Sequence, residues 1–115
     1  MLVLQLNGSI PAKKNNINFG RGRFYRTQDY HDFLEYAHLA LKSQYKGEPL
    51  KTERIQLNFF QKRTTKDLDN LISTVLDVLQ SSRVIENDKL INDIRATKGQ
   101  NNQEKVIIQL YDKND

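Results

Sequence analysis

Residues 66–88, KDLDNLISTVLDVLQSSRVIEND, constrain the fold more than any other stretch. Leu68, Leu71, Ile72, Val75 and Leu79 fall at i, i+3, i+4, i+7 and i+11, the spacing of one apolar stripe on an α-helix. Leu76 and Val78 widen that stripe, so the helix is predicted to be well buried. Asp69, Ser73 and Asp77 recur every fourth residue on a separate polar stripe. Ser81, Ser82 and the charged run after them end the helix. So apolar a helix needs a sheet or a second helix to cover it. At 115 residues the chain has room for one domain, spanning 1–115, with one core.

Acids flank this helix. Asp67 and Asp69 are two positions apart, which on a helix turns them about 200° from each other. In extended backbone the same spacing puts both on one side. If they act together, the chain is expected to be extended at 67–69, with Asp69 as the N-cap of the helix. Neighbouring carboxylates repel when ionised unless a cation or a shared proton relieves them. A hard divalent ion such as Mg²⁺ does so through carboxylate oxygens. Asp88 joins the same site if the chain doubles back after the helix. The structural alternative makes Asp69 a cap, Asp67 a surface acid and Asp88 a loop residue.

The remaining elements follow from period and punctuation. Residues 2–7 read as a strand with Leu2, Leu4 and Leu6 on one face. Residues 8–26 form a long irregular segment with a short strand near 23–26. Thr27 caps a helix over about 28–46, with Tyr30, Phe33, Leu34, Ala37 and Leu41 as its apolar stripe. His31, Glu35 and His38 share the other face; without an H-E-x-x-H pattern they read as a solvated face. Gly47 and Pro49 break that helix. Residues 53–60 alternate as a strand, another is expected at about 91–98, and 105–111 form the last. The turn at 99–103 is short, so the last two strands are expected to be antiparallel. The fold class predicted is α+β: a small mixed sheet of about four strands with two helices packed on it.

The charge is uneven. The net charge is +4 and the isoelectric point about 9.4. Lys13, Lys14, Arg21, Arg23 and Arg26 lie in an acid-free stretch, and Lys62, Arg63 and Lys66 in another. Such patches suit a phosphate backbone, or are simply a solvated basic face. Phe19, Phe24 and Tyr25 among the arginines either stack on exposed bases or form the loop's own small core. With no cysteine, disulfides and thiolate chemistry are excluded. No apolar run approaches the ~20 residues that span a membrane, and MLVLQLNG is too short for a signal peptide. The expected location is intracellular, in the cytoplasm. No GxxxxGK[ST] cradle is present, which disfavours a small hydrolase acting on nucleotides.

The motif KDLDNLISTVLDVL, followed after a short gap by ND, resembles the RusA-type Holliday-junction resolvases. GSIPAKKNN is similar to the proline, basic and asparagine segment near that family's N-terminus. The resemblance covers most of the chain. It implies a homodimeric, RusA-like fold and a Mg²⁺-dependent endodeoxyribonuclease, with Mn²⁺ as a possible substitute. Its substrate would be four-way or branched DNA, resolved by paired symmetric nicks in recombination and repair. Asp67, Asp69 and Asp88 match the family's catalytic, metal-binding acids. Asn87 stands where many members have another aspartate, and Asn70 and Asp77 match further motif positions. No small-molecule cofactor or membrane is implied, and members often come from phages and prophages. One position departs: the family often has a lysine important for cleavage where this chain has Ser73. Either Lys62, Lys66 or Lys98 replaces it, or cleavage is weaker, or the protein binds branched DNA with little or no cutting.

Overall fold

The computed structural model describes residues 1–12, 17–20, 23–63 and 65–111, and for 17–20 and 23–26 the backbone alone. In order, the elements are β1 (Leu2–Asn7), β2 (Ile17–Gly20), β3 (Arg23–Arg26), α1 (Gln28–Gln44), β4 (Arg54–Gln61), α2 (Leu68–Ser81), a short 3-10 helix (Asp88–Leu90), β5 (Asp93–Gln100) and β6 (Lys105–Tyr111). Four of the strands make one mixed sheet in the order β1-β6-β4-β5. β6 is antiparallel to β1 and β4, and β5 is parallel to β4. β2 and β3 pair antiparallel in a ribbon of their own. The α+β class, with a four-stranded sheet and two helices, is as the sequence predicts.

Period-two alternation builds the core. Leu4 and Leu6 of β1, Ile55, Leu57 and Phe59 of β4, and Val106, Ile108 and Leu110 of β6 are buried on one face. Both helices pack on that face: Phe33, Ala37 and Leu41 come from α1, and Leu71, Val75, Val78 and Leu79 from α2. Leu68, Ile72 and Leu76 are only partly buried against it. Thr27 caps α1 as expected, its hydroxyl accepting the Tyr30 N–H at 3.3 Å.

Three expectations need correction. β5 and β6 run in opposite directions but are not neighbours, because β4 lies between them. The fully alternating β6 belongs in the interior of the sheet, whereas β5 is mostly exposed and takes an edge. The segment 8–26 is not wholly irregular, since β2 pairs with β3. Finally, α2 begins at Leu68, so the chain is not extended through Asp69.

β4, α2 and β5 form a parallel crossover unit. The start of α2 therefore lies at the C-terminal end of β4. Its end lies where β4 and β5 begin, with Asn92 and Asp93 both donating their N–H to the Glu53 carbonyl. This opposition of ends governs the site.

α2 stops by a left-handed turn. Arg83 has φ 62°, and the Val84 and Ile85 N–H groups both reach back to the Leu79 carbonyl, at 3.0 and 3.3 Å. A side chain in that conformation costs roughly 1–2 kcal/mol, which glycine avoids in part. Arg83→Gly is expected to raise stability by up to about 1 kcal/mol. A fall in the chemical-denaturation midpoint would show that the Arg83 side chain outweighs the strain.

Candidate functional site

The first acid is itself the helix cap. Asp67 has φ −66° and ψ 132°, extended backbone, and its carbonyl accepts the N–H groups of Asn70 and Leu71, each at 3.2 Å. Asp69, expected at that position, sits one step inside the first turn. Helix bonds begin two residues earlier than that expectation, with Leu68 as the first residue of α2 and part of its apolar stripe. The Asp67 side chain does not cap the helix, and Asn70 Nδ2 lies 3.5 Å from its Oδ2. Both aspartates are exposed at the helix start, where the helix dipole favours negative charge.

Cations surround this end. Lys98 Nζ on β5 donates to the Lys66 carbonyl at 2.7 Å, one residue before Asp67. Lys66 Nζ donates to Ser9 Oγ at 2.9 Å and to the Ile10 carbonyl at 2.8 Å. Burial lowers the Lys66 pKa below the ordinary lysine range, against an opposing pull from the Glu104 carboxylate. The segment leading into the basic loop is held here as well. Gln61 Oε1 accepts the Ile10 N–H at 3.0 Å, and Thr74 Oγ1 donates to the Pro11 carbonyl at 2.8 Å. Lys62 and Arg63 are exposed and line a shallow opening with Ser9, Lys66 and Glu104. Of the other predicted DNA contacts, Lys13, Lys14 and Arg21 lie outside the described residues. Arg23 and Arg26 end β3, and their side chains also lie outside the description.

Asp88 belongs to the other end of α2. Its N–H donates to Gln80 Oε1 at 2.8 Å, and Asn87 caps the 3-10 helix by accepting the Lys89 N–H at 2.9 Å. Asp67 and Gln80 are separated by about 20 Å of helix at 1.5 Å per residue. The chain thus turns after α2 toward the start of β5, not back to Asp67. Among the described residues, no three acids or histidines of one chain come together as a metal site. The donor chemistry of Asp67 and Asp69 suits a hard divalent cation, and one chain places two such donors at one end and a third at the other. Elsewhere, His38 Nε2 lies 2.7 Å from Ser81 Oγ, tying α1 to the end of α2.

Over residues 8–111 the chain matches the family described as Endodeoxyribonuclease RusA. The chain belongs to this family. No curated protein matches it. The RusA match takes in α2 with both flanks, and membership implies a Holliday-junction endonuclease function. RusA nucleases generally use divalent metals. Among the described residues, no helix is long and apolar enough to cross a membrane.

Sequence reasoning passed over the anchors Gln61, Thr74 and Gln80. Nothing local marks them, because each holds backbone from a distant or irregular segment. Gln80→Ala removes the acceptor of the Asp88 N–H, a bond worth about 1 kcal/mol. Amide exchange at Asp88 is expected to quicken by roughly 5-fold, read by NMR, while exchange in β6 stays unchanged.

Proposed function

We propose that this RusA-family chain is a metal-dependent endonuclease that resolves Holliday junctions as a symmetric homodimer. Each site takes Asp67 and Asp69 from one copy and Asp88 from the other. The observation that carries the composite site is the placement of these acids at opposite ends of α2. Two copies related by a two-fold axis, with their α2 helices side by side and antiparallel, bring each start against the partner's end. A two-fold contact is self-complementary, so the same arrangement recurs at both ends and makes two equal sites. Two equal sites suit paired, symmetric nicks. Leu90 and Ile94, 38% and 41% exposed near Asp88, offer apolar surface for the second copy.

Asp67, Asp69 and Asp88 would hold Mg²⁺, or Mn²⁺ in its place. Such an ion supplies charge at the scissile phosphate and a more acidic water. The chain's own residues do the rest. The exposed Lys62 and Arg63 hold the DNA backbone beside the acids. Lys98, pinned one residue from Asp67, supplies the positive charge that Ser73 lacks. Lys66 spends its ammonium on Ser9 and Ile10 and serves as a brace.

The test is complementation. Asp69→Asn and Asp88→Asn are each expected to abolish nicking of a synthetic four-way junction and to leave binding largely intact. Mixed chains form some heterodimers in which one site keeps all three acids, so nicking returns at one strand. If all three acids came from the same chain, every mixed site would be defective and no activity would return. If the wild type binds junctions but does not cut them with Mg²⁺ or Mn²⁺, the protein is a branched-DNA-binding module.

Lys98 is tested separately. Lys98→Gln is expected to lower single-turnover cleavage about 100-fold with junction affinity preserved, and Ser73→Lys in that background to recover part of the loss. Unchanged cleavage in Lys98→Gln would remove Lys98 from the site.

A further inference from the structure

The sheet has a second face that the proposed catalytic site does not use. Both helices lie on one side, so the alternate residues of all four strands point the other way. The strand register arranges them in rows. Arg54 lies between Tyr111 and Asp93, Gln56 between Gln109 and Arg95, Asn58 between Ile107 and Thr97, and Phe60 between Lys105 and Gly99. Among the described residues this face carries the cations Arg54, Arg95 and Lys105 and the single acid Asp93. Two of the cations lie over rings: the Arg54 guanidinium is 4.2 Å from the centre of Tyr111, and Lys105 Nζ is 5.6 Å from that of Phe60. Stacking of this kind holds a long side chain in place and leaves its charge outward. Amides, a hydroxyl and the apolar Val3 and Ile107 fill the middle, with Thr97 Oγ1 donating to Asn58 Oδ1 at 2.8 Å.

We propose that this open sheet face is a second DNA-binding surface, taking the phosphate backbone of a duplex arm. The proposal rests on the junction-nuclease reading above and extends it to a face outside the catalytic site. Arginine, lysine, asparagine, glutamine, threonine and tyrosine are the side chains that meet phosphate oxygens, and here they stand on rigid strands. From Arg54 to Phe60 the face runs about 20 Å, roughly six steps of duplex at 3.4 Å each. It reaches from the Asp67 end, at Phe60 and Lys105, to the Asp88 end, at Arg54 and Arg95. An arm leaving the crossing point can therefore fold back along it. A second copy of the chain fits this face poorly. Two-fold mating would bring a face with three cations and one acid against its own copy, so like charges outnumber opposite ones, and the buried centre of a protein interface is depleted of charge.

The test is the triple variant Arg54→Gln/Arg95→Gln/Lys105→Gln, with Arg95→Glu as a milder second variant. Both are compared with the wild type on a four-way junction and on linear duplex across a salt series. Circular dichroism and sedimentation confirm fold and mass. Each neutralised phosphate adds about −0.9 to the slope of log affinity against log salt. The triple variant is expected to bind more weakly, with a slope shallower by about 2–3, and Arg95→Glu to shift in the same direction. Cleavage at saturating junction is expected to stay at the wild-type rate. Folded variants with wild-type affinity and slope would overturn the second surface and leave the nuclease reading standing. A change in mass with unchanged DNA binding would overturn it too, and make the face a contact between copies. A wild type that binds no junction DNA would overturn both.

Discussion

Burial of α2 against β4 and β5 is the constraint on which the rest of the structure depends. Leu71, Val75, Val78 and Leu79 are fully removed from water. Each is worth about 1.5–3 kcal/mol relative to exposure, so the helix has little freedom to shift or turn. A helix seated between two parallel strands must run against them, and its two ends must lie at opposite ends of those strands. Asp67 and Asp69 go with one end, and Asp88 with the other. The distance between the acids follows from the packing of a hydrophobic helix, not from their own electrostatics. Repulsion between Asp88 and the Asp67–Asp69 pair is also avoided within one chain, and the composite site proposed for the dimer brings all three together only when a second copy is present.

Around the acid end, the chain uses cations and amides to hold backbone. Lys98 fixes the residue before Asp67, and Lys66 holds Ser9 and Ile10. Gln61 and Thr74 hold Ile10 and Pro11 from a strand and a helix. The half-buried Lys66 ammonium is costly to desolvate, which lowers its pKa, and its two hydrogen bonds offset part of that. These contacts give irregular chain next to the candidate centre the firmness of regular structure. They leave Lys62 and Arg63 exposed, where attraction to a polyanion is long-ranged and sensitive to salt.

Much of this was legible in the sequence because it depends on period. The stripe in α2 and the alternation in β1, β4 and β6 locate elements to within a residue or two. The D-x-D-N-L start and the later N-D carried the family, which the match over residues 8–111 bears out. The misreadings share a cause. The short turn between β5 and β6 sets them in opposite directions as expected, yet both pair with β4 and not with each other. Two acids acting in extended chain would put the cap at Asp69, yet the partly buried Leu68 is the first residue of α2 and Asp67 its cap. β2 carries no strong alternation, and its pairing with β3 supplies what its own four residues do not.

The sequence by itself determined the composition of the core, the kind of fold, the family and the identity of the candidate acids. These depend on residue type and local spacing, which a linear chain displays. Only the tertiary structure decided that Asp88 stays at the far end of α2 from Asp67 and Asp69, which lysine stands beside Asp67, and that three cations and two aromatic rings share the outer face of the sheet. Each of these is a relation between residues far apart in the chain. It is set by strand order and helix direction, which arise when the whole apolar surface is buried at once, and no window of sequence contains it.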